Sequence, residues 1–387
     1  MKTLILSVTA GEGHNSTAKA LREEFERLGA ECTVLDTFQY ISPALAKFLS
    51  EGYLLVTEKA RRAYEVGYRL SEKRRGDEKA VTHLVDMAFA GDIADFINHD
   101  DYGVILFTHP FAGMILDHLK EKKMLSIPTV GILTDFTFHP YWEDCTRNDY
   151  VVTPAEGLLL QGLRKGFRPE QILPYGIPIR PQFLQTVPKH EARAKLGLDP
   201  EKVTLLIMGG SMGYGNLDET VRQIDSIHGN TNFQMVVVCG NNKEAKGRID
   251  SLTAEGKLRH AVLTTGFVDY ISLLMDASDC IVTKPGGLTT SESLAKGLPM
   301  VIVNPIPGQE QRNTEFLLNN GAASAASETC PVEECLYQLL TSPVRLESMS
   351  RCVQALAGAG AAERVCRFAM ELAVTPIMEI QKTESKK

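Results

Sequence analysis

Three glycine-rich corners hold the residues best suited to chemistry. The first, "TAGEGHNST" (9–17), follows the apolar run Leu4–Val8 and contains Gly11, Gly13 and His14. An imidazole titrates near pH 6.5 when unperturbed, so His14 at a helix start can act as a general base. The same corner half-fits a dinucleotide fingerprint: Ser16 stands at the third glycine, and Asp36 lies 25 residues after Gly11, where a ribose-binding acid would sit. It lacks the Gly-Lys-Ser/Thr of a nucleoside-triphosphate loop. The plain alternative is a turn with an incidental histidine.

The second corner, "MGGSMGYGN" (208–216), offers Gly209, Gly210, Gly213 and Gly215, whose backbone N–H groups can approach an anion. The third is the most specific. In "DCIVTKPGGLTTSESLAKGLPMVIVNPIPGQEQRN" (279–313), Gly286 and Gly287 end a strand and Leu288 starts a helix. The first free N–H groups, at Gly287, Leu288 and Thr289, would face a phosphate. Glu292, one turn in, is placed for vicinal ribose hydroxyls. Glu310, Gln311 and Asn313 supply the carboxylate and amides that sugar hydroxyls need. Helix capping explains any one of these residues singly but not the cluster.

These corners require strand-to-helix turns, and the flanking pattern supplies them. Strands are predicted at Lys2–Val8, Cys32–Leu35, Val104–Phe107, Thr129–Leu133 and Tyr150–Val152, with a helix at Asn15–Leu28 capped by Asn15 or Ser16. After the proline-rich "PYGIPIRPQF" (174–183), strands at Val203–Met208, Phe233–Cys239, Ala261–Thr265, Cys280–Thr283 and Met300–Val303 alternate with helices. Buried strands joined by helices imply parallel sheets. The expected fold is α/β: two Rossmann-like domains facing a cleft, with ligands beyond the carboxyl ends of the strands.

Composition narrows the class. Lys plus Arg is 41 against 48 Asp plus Glu, a net charge of −7, which argues against a general nucleic-acid binder. The eight cysteines form no CxxC pair, which fits reduced thiols in a cytoplasmic protein. The apolar N-terminus reads as a first strand rather than a signal peptide, and no apolar stretch is long enough to span a bilayer.

The segment 266–313 resembles the nucleotide-sugar half of the inverting glycosyltransferases that include the peptidoglycan GlcNAc-transferase. "TAGEGHNSTAKAL" together with "TDFTFHPYW" (134–142) resembles the diacylglycerol glycosyltransferases, meaning monogalactosyldiacylglycerol synthase and the processive diacylglycerol glucosyltransferases. The resemblance runs from residue 1 to about 370. It implies a B-type glycosyltransferase fold: an N-terminal acceptor and membrane domain (1–178), a UDP-sugar domain (179–363), and a last helix (about 364–382) crossing back to the first. It places Glu292 at the ribose acid, Glu310 and Asn313 at the donor sugar, and Gly209-Gly210-Ser211 near the phosphates. It also places His14 at the base and Asp135 at an acid near the acceptor, with Gly11 and Gly13 letting the acceptor approach. Gln311-Arg312 stands where the galactosyl enzymes carry small residues, and the donor stays open between UDP-glucose and UDP-galactose.

The implied reaction is one in-line displacement at the anomeric carbon. His14 or Asp135 takes the acceptor proton, with Asp135 alternatively orienting His14. Helix N-termini at 209–217 and 286–289 stabilise the leaving UDP. No metal or other cofactor is expected: the short-spaced Asp-x-Asp is absent, and His139, Glu143 and Asp144 of "HPYWED" read as loop capping and surface charge. Diacylglycerol as acceptor calls for an anionic membrane surface. Within 59–75, Lys59, Arg61, Arg62, Arg69, Lys73, Arg74 and Arg75 face two acidic residues, Glu65 and Glu72. A cytoplasmic enzyme, peripheral on the inner face of the cell membrane, is the expectation. Rival readings are a UDP-sugar 2-epimerase-like isomerase, a transferase acting on a lipid-linked cell-wall precursor, and a noncatalytic nucleotide-sugar sensor.

Overall fold

The computed structural model describes residues 1–9, 12–43, 79–210, 213, 215–229, 231–358 and 360–374. The chain divides into two compact units. Unit 1 comprises Met1–Arg180, Pro307–Gln309 and Gly358–Lys387; unit 2 comprises Pro181–Ile306 and Glu310–Ala357.

Unit 1 contains β1 (Lys2–Ser7), α1 (Glu12–Arg27), β2 (Glu31–Asp36), α2 (Thr37–Ile41), α3 (Lys79–Asn98), β3 (Tyr102–Phe107), α4 (Pro110–Glu121), β4 (Thr129–Ile132), β5 (Tyr150–Val152), α5 (Leu159–Arg164) and β6 (Ile172–Leu173). Its strands lie in the order β2-β1-β3-β4-β5-β6, all parallel. Leu4, Ile5 and Leu6 are fully buried, because helices cover both sheet faces and leave no solvent side for a polar alternation.

Unit 2 contains α6 (Lys189–Leu196), β7 (Val203–Met208), α7 (Leu217–Asp225), β8 (Phe233–Val238), α8 (Lys243–Ala254), β9 (Val262–Thr265), α9 (Ile271–Ala277), β10 (Cys280–Thr283), α10 (Gly287–Ala295), β11 (Met300–Ile302), α11 (Gln309–Asn319), β12 (Ala323–Ala325), α12 (Val332–Leu340) and α13 (Pro343–Leu356). Its sheet runs β12-β11-β10-β7-β8-β9, again all parallel. The last helix, α14 (Ala361–Val374), belongs to unit 1. Its Val365, Cys366, Phe368, Ala369 and Leu372 share a core with Ala18, Leu21 and Phe25 of α1. Gly103 permits this: a Cβ there would sit 2.9 Å from the Ala373 Cβ.

Each sheet has one topological switch point, where the strand order reverses and a parallel sheet opens a crevice beyond its carboxyl ends. In unit 1 it lies between β1 and β3, and in unit 2 between β7 and β10. All three glycine-rich corners follow one of these four strands.

Several local expectations change. Helix α1 starts at Glu12, three residues earlier than predicted, so Gly13 and His14 lie in its first turn. Asn15 does not cap it. Its amide spans the corner instead, accepting from Ser7 Oγ at 2.7 Å and donating to Thr9 Oγ at 2.9 Å. Asp36 is occupied as the N-cap of α2: it accepts from Gln39 N at 2.9 Å and from Thr9 N at 3.0 Å, and also bonds the Thr9 hydroxyl. A carboxylate bound this way is spent on the backbone, which removes the ribose-binding role of the dinucleotide reading. The edge strands β6 and β12, of two and three residues, were not predicted. Among the described residues no helix is long and apolar enough to cross a membrane.

Candidate active site

The switch point of unit 1 is lined with imidazoles. His14 is partly buried, and its Nδ1 lies 2.6 Å from the carbonyl oxygen of Thr108, just past the end of β3. A carbonyl only accepts, so Nδ1 carries the proton and Nε2 keeps its lone pair. Thr134 Oγ, past the end of β4, lies 3.2 Å from the same Nδ1. Burial lowers the His14 pKa to about 4, against a smaller upward pull from the Thr108 carbonyl. The ring is therefore neutral near pH 7, as a base must be before it takes a proton.

His109 packs edge-on against His14, with ring centroids 4.6 Å apart and planes at 68°. It caps α4, its Nδ1 accepting from Phe111 N at 3.2 Å, while Pro110 fills the first helical position. His139 does the same for the short 3-10 turn Pro140–Cys145, accepting from Tyr141 N at 3.3 Å. Burial holds the His109 pKa well below the usual value, and His14 and His139 push it the same way. His139 falls to about 3, by burial first and then by Lys165 and His14. All three rings are uncharged near pH 7; the Nδ1 of His14 lies on a carbonyl, whereas those of His109 and His139 accept from backbone N–H groups.

Asp135 is partly buried and directly follows Thr134. Helix α5 steadies this segment: Gln161 Oε1 accepts from Thr137 Oγ at 3.2 Å and from Phe138 N at 3.3 Å. Thr108 and Thr134 both engage the Nδ1 of His14. Glu143 pairs with Lys165 at 3.5 Å, and among the described residues no three His, Cys, Asp or Glu side chains gather as a metal-binding group.

The switch point of unit 2 is different in kind. Met208, Gly209, Gly215, Asn216, Lys284 and Asn304 line a hollow between the ends of β7, β10 and β11. Helix α10 opens beside it with Gly286 as N-cap, no side-chain cap and no acid in its first turn. The N–H groups of Gly287, Leu288 and Thr289 thus have no intrahelical acceptor, and the helix dipole adds positive potential. The other helix predicted to hold phosphate, α7, starts eight residues beyond Gly209 and carries Asp218 and Glu219 in its first turn. Those acids already answer its dipole, whereas the start of α10 carries no acid to do so.

Glu292 is buried in α10. Glu310, also buried, accepts from Lys284 Nζ at 2.6 Å and from Ile306 N at 2.8 Å. Asn313 is fully buried and donates to the Pro285 carbonyl at 2.9 Å, which fixes the corner ahead of α10. Gln311 is exposed. Gly210 has φ +76°, and a Cβ there would lie 3.5 Å from the Lys284 Cε, so this loop passes close over the lysine stem. Gly11, Ser211 and the basic residues Arg61, Arg62, Arg69, Lys73, Arg74 and Arg75 lie outside the described residues.

The structure adds residues that the sequence did not single out: His109, the Thr108 carbonyl, Thr134 and Lys284. The signal for His109 was the Thr-His-Pro step directly after a strand, which reads as an N-cap followed by proline at N1. Lys284 stood in a quoted motif, but its partner is 26 residues away.

Comparison with known proteins gives the family. Residues 14–179 match the family model for monogalactosyldiacylglycerol (MGDG) synthase, and residues 204–365 match the glycosyltransferase family 28 C-terminal domain. A processive diacylglycerol beta-glucosyltransferase of Bacillus subtilis is 30% identical over 364 residues, covering 94% of this chain and 93% of that protein. This chain belongs to the diacylglycerol glycosyltransferase family. A probable chloroplastic monogalactosyldiacylglycerol synthase of Nicotiana tabacum is 31% identical, covering 83% of this chain and 61% of that protein. Among solved structures, MurG of Acinetobacter baumannii aligns with a TM-score of 0.64 at 15% identity, covering 96% of this chain and 99% of that one. The Neisseria meningitidis UDP-GlcNAc 2-epimerase aligns with a TM-score of 0.60 at 14% identity, covering 96% of this chain and all of that one. These two likenesses speak for the fold alone. This family member has the B-type glycosyltransferase fold, with two Rossmann-like domains.

Proposed function

We propose that this chain is an inverting glycosyltransferase that moves a hexose from UDP-glucose or UDP-galactose to diacylglycerol, giving a β-glycosyl-diacylglycerol. The observation that carries the mechanism is the 2.6 Å contact of His14 Nδ1 with the Thr108 carbonyl, from which the tautomer follows. With Nδ1–H on the Thr108 carbonyl, Nε2 is the basic nitrogen, and it belongs to a neutral ring in the crevice of unit 1. His14 Nε2 takes the proton of the acceptor hydroxyl as that oxygen attacks the anomeric carbon and the bond to UDP breaks. The Thr108 carbonyl then steadies the imidazolium through Nδ1–H, while Asp135 lines the acceptor side. Charge developing on the diphosphate falls to the N–H groups at the start of α10, with Glu292 on the ribose and Glu310 on the hexose. No metal ion is assigned a role.

Unit 1 with α14 serves the acceptor in this reading, and unit 2 serves the donor. Diacylglycerol resides in bilayers, so the enzyme works at an anionic membrane surface. The basic run within 59–75 is the segment suited to it by charge, at about 1 kcal/mol per basic residue near the surface. The test is incubation with radiolabelled UDP-glucose or UDP-galactose and diacylglycerol liposomes, followed by lipid extraction and assignment of the anomeric configuration. Label in a β-linked glycolipid is expected. Release of UDP with no labelled lipid from either donor would overturn the reading.

A further inference from the structure

The charged pair at the donor corner has a consequence beyond holding the fold. Lys284 stands at the carboxyl end of β10, two residues before the N-cap of α10, and its side chain is 26% exposed at the edge of the hollow. Its partner Glu310 is 7% exposed and holds the ammonium with one oxygen and the Ile306 N–H with the other. A lysine beside an uncapped helix N-terminus is what a diphosphate requires. A buried carboxylate one ion pair away is what a diphosphate repels. A sugar hydroxyl, by contrast, is a donor that a carboxylate can accept.

We propose that Lys284 and Glu310 form a donor latch that discriminates the complete nucleoside-diphosphate sugar from the nucleoside diphosphate left after transfer. As the pair stands, each charge answers the other. The incoming diphosphate draws the ammonium away, and Glu310 keeps its Ile306 N–H and turns its freed oxygen to a hexose hydroxyl. The full donor replaces both halves of the ion pair. UDP replaces only the lysine half and leaves a buried carboxylate short of a partner, which is costly. The latch therefore weakens product binding relative to donor binding and helps UDP leave. This rests on the donor assignment above but not on the lipid acceptor.

The test is calorimetric titration of the full chain with UDP, uridine and UDP-glucose, for the unaltered protein, Lys284→Gln, Lys284→Arg and Glu310→Gln. Lys284→Gln should lose about tenfold or more in UDP affinity while uridine binding holds, because uridine has no phosphate. Lys284→Arg should recover most of that loss and shows that the site still folds. Glu310→Gln should act in the opposite direction on UDP, tightening it several-fold, while lowering the ratio of UDP-glucose to UDP affinity. Glu310→Gln weakening UDP as Lys284→Gln does would overturn the latch, as would equal losses of UDP and uridine in Lys284→Gln. Absence of UDP binding by the unaltered chain would overturn the latch and the donor assignment together. Absence of lipid product with the expected UDP shifts would overturn only the acceptor assignment.

Discussion

The two switch points have the same topology and different electrostatics. In unit 1, His14 and His109 follow β1 and β3 and pack edge-on, and His139 follows β4; all three are neutral imidazoles, each with its Nδ1 engaged by a backbone group. In unit 2 the crevice between β7 and β10 holds a lysine–glutamate pair and an uncapped helix N-terminus. One parallel-sheet plan thus carries neutral imidazoles at one site and charged groups at the other, and in the proposed mechanism the first moves a proton and the second holds an anion. The architecture supplies only the crevice, and the few residues after each strand decide its chemistry.

The strongest way to break this contrast is a pair of substitutions. His14→Ala should lower turnover by about 10²- to 10⁴-fold, the usual share of a general base, while UDP affinity is unchanged. Glu292→Gln should do the reverse in binding, weakening UDP by roughly tenfold or more through the lost charged hydrogen bonds. Calorimetry alongside steady-state rates separates them. Unchanged turnover in His14→Ala would remove His14 from the mechanism.

Acid should then divide the molecule. His14, His109 and His139 all have folded pKa values below the 6.5 of an unfolded chain. The unfolded state therefore binds more protons below pH 6.5, and stability falls as pH drops from there toward about 4 for His14 and about 3 for His139. The slope has an upper limit of about 1.4 kcal/mol per pH unit per histidine. Trp142, the only tryptophan in the chain, packs 5.7 Å from Phe107 in the unit 1 core and reports on that unit. Its urea midpoint should fall between pH 7 and pH 5. The acid limb of kcat/KM should lie below pH 6.5; a limb at 6.5 would mean that His14 titrates as a solvated imidazole.

The glycines give the smallest and sharpest comparison. Gly213 has φ +62°, and a Cβ there would lie 2.1 Å from the Cys239 carbonyl oxygen. Gly213→Ala should cost about 1–3 kcal/mol of stability by strain alone, read by thermal unfolding. A Cβ on Gly13, in the first turn of α1, meets nothing within 4 Å. Gly13→Ala should leave stability unchanged or raise it by up to about 1 kcal/mol, so a rise in KM for diacylglycerol would report acceptor contact directly.

Much of the fold was legible because its signals are local. The central strands are continuous apolar runs, and Val203–Met208 and Cys280–Thr283 begin and end where the pattern places them. The edge strands β6 and β12 escaped notice because Ile-Leu and Ala-Ser-Ala carry no period of their own and are strands only by pairing with β5 and β11. Helix α1 began early because Asn15, a good cap by type, is engaged with Ser7 and Thr9 across the corner. At the donor corner, the missing acid in the first turn of α10 and the two acids in that of α7 were both readable, and weighing them separates the two helices.

The sequence by itself determined where strands turn into helices and which reactive side chains stand at those turns, since both follow from residue type and short spacing. Only the tertiary structure decided what state those side chains are in. The tautomer of His14 depends on a backbone carbonyl 94 residues away, a group that every residue possesses and no residue type announces. Lys284 meets Glu310 because α11 returns to the end of β10, and that proximity is a property of the assembled sheet rather than of either motif.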